Sequence, residues 1–112
     1  MTADRVCPAP LWGPPSETTH IGEGRLEGDG RYLRLWLVVQ SGLVIEARFQ
    51  CHGCQVAIAV GQNLCAALTG RELARVRTLE RNDIAILVGP VPEGKEFNYE
   101  LAAKALAALK ET

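Results

Sequence analysis
The chain has 112 residues, 47% of them apolar and 22% charged, and a formal net charge of −1 at neutral pH. That length suits one domain with a modest core, and that charge argues against a nucleic-acid partner gripped through its phosphates. The apolar run Leu35 to Val39 is too short to cross a bilayer, so no membrane partner is expected. The first residues lack the basic-then-apolar order of a signal peptide. Four cysteines without an export signal imply free thiols in a reducing, cytoplasmic setting.

In chain order, residues 1–19 carry Pro8, Pro10, Pro14 and Pro15, a density that opposes helix and sheet pairing. They are expected to form an irregular arm, anchored by Leu11 and Trp12, with Cys7 a bystander thiol. Residues 20–112 are expected to form the single domain. His20 to Leu26, rich in glycine, suggests a short edge strand. Glu27-Gly28-Asp29-Gly30 is a turn signal. Tyr32 to Val39 alternates, with Leu33, Leu35, Leu37 and Val39 on one face and Tyr32, Arg34 and Trp36 on the other. Ser41-Gly42 marks a tight hairpin turn, after which Leu43, Ile45, Ala47 and Phe49 are expected to continue the inward face.

The pattern changes at Cys51-His52-Gly53-Cys54. A strand pattern ends near Phe49 and a helical one begins near Cys54. Gly53 suits the sharp reversal between them. Cys54 then falls in a helix's first turn, where free N–H groups favour a thiolate. Val56, Ala57, Val60, Leu64, Ala67 and Leu68 form one apolar stripe, and Gly70 stops the helix. Cys65 returns to nearly the angular position of Cys54, but roughly 16 Å further along the axis, so the two cannot share a metal ion and Cys65 suits the core. A short helical stretch follows over Arg71 to Leu79. Asn82-Asp83 is a cap signal for a third piece, Ile84 to Val88, and 89–94 is a loop by composition. Residues 97–110 form an alanine-rich amphipathic helix. Strands followed by helices predict an α+β fold, a small antiparallel sheet of about three strands with helices packed on one face.

This order resembles the iron–sulfur cluster assembly scaffold family, the NifU N-terminal or IscU-like domain. The likeness runs from about Glu27 to Leu109. It rests on Gly28-Asp29 before a strand, then Ala47-Arg48-Phe49, His52-Gly53-Cys54 and Ala57-Ile58-Ala59, then Leu64, Leu68 and Gly70, Asn82-Asp83-Ile84, a proline-containing loop and Leu101-Ala102 with Ala105-Leu106. The resemblance implies a scaffold rather than an enzyme, building a labile iron–sulfur cluster from iron and from sulfur supplied by a cysteine desulfurase. It implies that the central ligand cysteine is Cys54 and the family aspartate is Asp29. Glu27 stands in place of the first ligand cysteine, and Asn98 (or Tyr99) in place of the third. Pro90-Val91-Pro92 corresponds to the loop that a chaperone recognises, and an acceptor apoprotein is the further partner implied.

Two missing thiolates weaken any cluster site, since soft ligands select iron–sulfur centres. A stable [2Fe–2S] cluster on a monomer is therefore not expected. Cys51, three residues before Cys54, is a candidate substitute ligand. The Cys51-x-x-Cys54 spacing with Asp29, Glu27 or His52 also suits zinc, or a redox-active disulfide. A third reading is a partner-binding module that keeps the fold without the cluster chemistry.

Overall fold
The computed structural model describes residues 11–26, 28 and 30–112. Four antiparallel strands form one sheet: β1 (His20–Arg25), β2 (Tyr32–Gln40), β3 (Leu43–His52) and β4 (Lys110–Glu111), in the order β3-β2-β1-β4. Four helices follow β3: α1 (Gln55–Leu68), α2 (Leu73–Val76), α3 (Arg81–Val88) and α4 (Phe97–Ala107). The α+β architecture is the one the patterning predicts. The fourth strand is an addition: the final helix ends at Ala107, and the chain returns to pair His20 with Glu111 and Ile21 with Lys110. β1 is therefore not a free edge at its start.

Ser41 and Gly42 both take positive φ, at 54° and 78°, as a two-residue hairpin turn matched to strand twist requires. The inward face then departs from simple alternation. Val38 pairs with Glu46 but Val39 pairs with Val44, so Ile45 is an extra residue on β3. Such a bulge moves the following side chains by one place. Val44, Ala47 and Phe49 consequently face the core, while Leu43 and Ile45, expected inward, are 42% and 47% exposed.

α4 lies across β1, and the glycines of that strand explain how closely. A Cβ on Gly24 would sit 2.1 Å from the Leu101 carbonyl oxygen, and one on Gly22 would sit 2.2 Å from that of Ala105. These glycines are needed for backbone-to-backbone approach. α1 covers β3 in a similar way, with a Cβ on Gly61 meeting the Phe49 ring at 2.5 Å. The core joins Leu33, Leu35, Leu37, Val44 and Phe49 of the sheet to Val60, Leu64, Cys65 and Leu68 of α1 and to Leu101, Ala102, Ala105 and Leu106 of α4.

Two helical expectations shift. The stretch Arg71 to Leu79 is helical only over Leu73–Val76. α3 starts earlier than Asn82-Asp83 suggested: Glu80 is its N-cap and Asp83 completes a capping box, accepting the Glu80 N–H at 2.9 Å. The described part of the arm is anchored as expected. Leu11 C=O accepts the Phe49 N–H, and the Gly13 N–H donates to Phe49 C=O. Trp12 packs edge-on against the Phe49 ring at 5.5 Å. The Arg48 guanidinium donates to the Trp12 and Gly13 carbonyls, each at 2.9 Å. Cys7 lies outside the described residues. Among those residues no helix is long and apolar enough to cross a membrane.

Candidate functional site
β3 runs to His52, three residues past the expected end, because Cys51 and His52 still pair with Leu33 and Tyr32. Gly53 and Cys54 then turn the chain into α1. Gly53 does not take positive φ; its requirement is space, since a Cβ there would lie 3.0 Å from that of Ala57. Cys54 is the N-cap residue, extended at φ −99° and ψ −174°. Its side chain is exposed and makes no cap hydrogen bond of ordinary geometry. The Ala57 N–H, then that of Val56, and the Lys95 ammonium nevertheless hold the thiol pKa below its ordinary value, outweighing slight desolvation.

Cys51 has a different environment three residues earlier. Paired with the inward Leu33, it is half-buried and packs against the core. It lines a small cavity of about 10 Å³ with Tyr32, Leu33, Ala57, Val60, Asn98 and Leu101. Burial first, and then the nearby Cys54, push its thiol up to about 11. His52 points to the other side of the strand, stacking on Tyr32 with centroids 6.3 Å apart. The Arg25 and Arg34 guanidinium groups lie 4.9 and 5.2 Å from the Tyr32 ring centre. His52 is therefore turned away from Cys51, and among the described residues it belongs to no group of three side chains that could hold a metal ion.

Asn98, in the first turn of α4, is buried to 2% exposure and shares the cavity with Cys51. Its amide donates to Lys95 C=O at 3.0 Å. Tyr99 serves the loop instead, its hydroxyl donating to Gly89 C=O at 2.8 Å. Of these two candidates for the third ligand position, Asn98 is the one beside a cysteine. Lys95 was not singled out from the sequence. Its signal was a lone cation three residues before Asn98, on the loop leading into α4. Pro90 and Pro92 are exposed while Val91 packs against the core. Pro92 C=O accepts the Lys95 N–H at 3.0 Å, which ties this loop to the lysine that favours the Cys54 thiolate.

Glu27 and Asp29 lie outside the described residues. The connection that carries them leaves β1 after Arg25 and enters β2 at Tyr32. Those two residues pair with each other, and Tyr32 pairs with His52, so the connection starts and ends at the Cys51–Cys54 end of the sheet. Arg31 within it places its guanidinium 4.2 Å from the centre of the Phe97 ring, at the start of α4. Among the described residues no three His, Cys, Asp or Glu side chains are grouped to hold a metal ion. The junction thus offers an exposed thiolate-prone sulfur, a second, half-buried thiol, a lysine, and a buried neutral amide. Cys65 lies at the far end of α1, fully buried.

Residues 17–111 match the family described as the NifU-like N terminal domain. The bifunctional protein NifU/MnmA of Rubrobacter xylanophilus is 35% identical over 88 residues, covering 77% of this chain and 18% of that protein. The nitrogen fixation protein NifU of Cereibacter sphaeroides is 34% identical over 98 residues, covering 88% of this chain and 39% of that one. The chain therefore spans well under half the length of these relatives. Among solved structures, a putative iron–sulfur cluster assembly scaffold protein for the SUF system from Fervidobacterium islandicum superposes with a TM-score of 0.63 at 14% identity, over 88% of this chain and 85% of that one. A NifU-like N-terminal protein from Brucella abortus gives 0.53 at 16% identity, over 88% and 69%. These two likenesses concern the fold.

Proposed function
The chain belongs to the family of NifU-like N-terminal domains, and from that premise we propose that it is a divergent scaffold protein of iron–sulfur cluster assembly, taking up sulfur or iron at Cys54 with Asp29 in support. The observation that carries this reading is the setting of Cys54: exposed, at the N-cap of α1, with the Ala57 N–H and the Lys95 charge favouring its thiolate. A soft anionic sulfur at the surface is what an iron ion or an incoming sulfur atom requires. The protein is a carrier rather than an enzyme, the cluster is its cargo, and a cytoplasmic, reducing setting keeps its thiols free. Its sulfur donor is a cysteine desulfurase. The exposed Pro90 and Pro92 flanking the anchored Val91 are the contact for a chaperone, and an acceptor apoprotein takes the cargo.

The donor set argues against firm holding. Asn98 is a neutral amide already committed to Lys95 C=O, and Glu27 supplies a hard oxygen where the resemblance has a thiolate. With Cys51 the site reaches two thiolates, fewer than a monomeric [2Fe–2S] cluster prefers. We therefore expect a labile cluster or a transfer step rather than a resident centre. The Cys51-x-x-Cys54 spacing favours one second reading, a zinc site completed by Asp29 or Glu27. Anaerobic reconstitution with iron and sulfide, followed by visible absorption, metal analysis and gel filtration, separates the two. Colour that is weak, readily lost to a chelator and abolished by Cys54→Ala supports transfer through Cys54. A stable coloured monomer would overturn the labile reading, and a colourless protein with one zinc would establish the second.

A further inference from the structure
The two thiols at the junction converge on one residue. Cys51 lines the small cavity together with Ala57, and Cys54 is the N-cap of the helix whose first turn carries that same Ala57. Only His52 and Gly53 separate them along the chain. Access differs between them: Cys54 is exposed to an incoming donor, whereas Cys51 is half-buried. Gly53 keeps the link between them slim, since a side chain there would crowd Ala57. The third described cysteine, Cys65, is fully buried at the opposite end of α1 and takes no part.

We propose that Cys51 is the resolving thiol for a sulfur atom carried on Cys54. A persulfide on Cys54 exposes an inner sulfur to attack from the cavity side. The Cys51 sulfur bonds to that inner sulfur, and the bond between the inner and outer sulfurs breaks. The outer sulfur leaves with the electron pair as hydrosulfide and takes up the proton given by Cys51. The Cys51 sulfur is oxidised and the outer sulfur is reduced, so this step needs no other reductant. The products are a Cys51–Cys54 disulfide and one hydrogen sulfide, released at the site where iron is received. A dithiol then returns both cysteines to thiols and readies the site again. This step rests on the reading of Cys54 as a sulfur acceptor and assigns it a second residue.

Purified, fully reduced full-length protein is loaded with inorganic polysulfide under argon, desalted, and followed by mass spectrometry and sulfide release. Wild type is expected to release sulfide and to lose two hydrogens relative to the reduced chain, with peptide mapping joining Cys51 to Cys54. Cys51→Ser and Cys51→Ala are expected to keep the mass of one added sulfur on Cys54 and to release sulfide at least about tenfold more slowly. Circular dichroism of both variants checks that the fold is retained. Release from both at the wild-type rate, or a loaded wild type that forms no intramolecular disulfide, would overturn the assignment of Cys51 while leaving Cys54 as acceptor. Failure of Cys54 to gain sulfur in the folded Cys51 variants would overturn the acceptor reading, and this inference with it.

Discussion

The two ends of α1 carry the same residue type on nearly the same stripe and give it opposite characters. Cys54 caps the N-terminus, exposed, with its thiol pKa lowered by amide N–H groups and Lys95. Cys65 sits in the last turn with no exposure, and burial pushes its thiol up to about 12. Angular position on a helix therefore does not decide what a cysteine can do. What decides is whether the helix end is open to solvent and presents unpaired N–H groups, or is closed over by a sheet. The midpoint of the helix marks the change, where Gly61 lies directly against the Phe49 ring.

The largest contrast is expected in reactivity. Under native conditions iodoacetamide should label Cys54 at least about a thousandfold faster than Cys65, because Cys65 is reached only through an opening that costs several kcal/mol. Peptide mapping over time measures both rates, and comparable labelling would break the comparison. Stability should separate the ends next. Cys65→Ser places a hydroxyl in an apolar core and should cost about 1–3 kcal/mol in denaturant unfolding. Cys54→Ser, at the surface, should stay within about 0.5 kcal/mol of wild type.

Gly61→Ala sharpens the boundary between the ends. Alanine favours the helix by about 1 kcal/mol, yet its methyl would collide with the Phe49 ring, at an overpacking cost of about 1–3 kcal/mol. Net destabilisation with faster labelling of Cys65 and unchanged labelling of Cys54 is expected. A stabilised variant would show that α1 does not seat on β3 as described.

The smallest effect concerns pH. Alkylation follows the thiolate, so the rate at Cys54 should level off below the pH of an ordinary thiol, whereas that at Cys51 should keep rising towards about 11. Lys95→Gln removes a positive charge that favours the Cys54 thiolate, so the Cys54 profile should move to higher pH. A profile that stays in place, or moves down, would remove Lys95 from the site.

The junction was legible because its signals are local. The change from period two to period 3.6, with glycine between, located the start of α1 to within a residue and put Cys54 in its first turn, one place inside the N-cap position that it occupies. The expectation that Cys65 belongs to the core rested on its distance along the same helix from Cys54, and Cys65 is fully buried. Asn98, brought to the site only by resemblance, is the polar side chain of α4 that lines the cavity with Cys51. Other features were hidden. The glycines of β1 weakened it as a strand candidate, yet they are what admits α4. Lys95 carried no motif, and its influence on Cys54 arises only when the loop folds back.

Local pattern was enough for three strands followed by helices, for the hairpin, the strand–glycine–helix junction and the family likeness, because each depends on residues within a few positions of one another. The tertiary structure was needed to show that Val44, and not Leu43 or Ile45, faces inward beside Ala47 and Phe49. A single extra residue at Ile45 reverses the pleat, and no local pattern announces it. The tertiary structure alone also paired β4 with β1, turned His52 away from Cys51, and half-buried Cys51 while leaving Cys54 exposed. Those outcomes depend on which surfaces meet across the fold, and contacts between distant parts of the chain leave no period in the sequence.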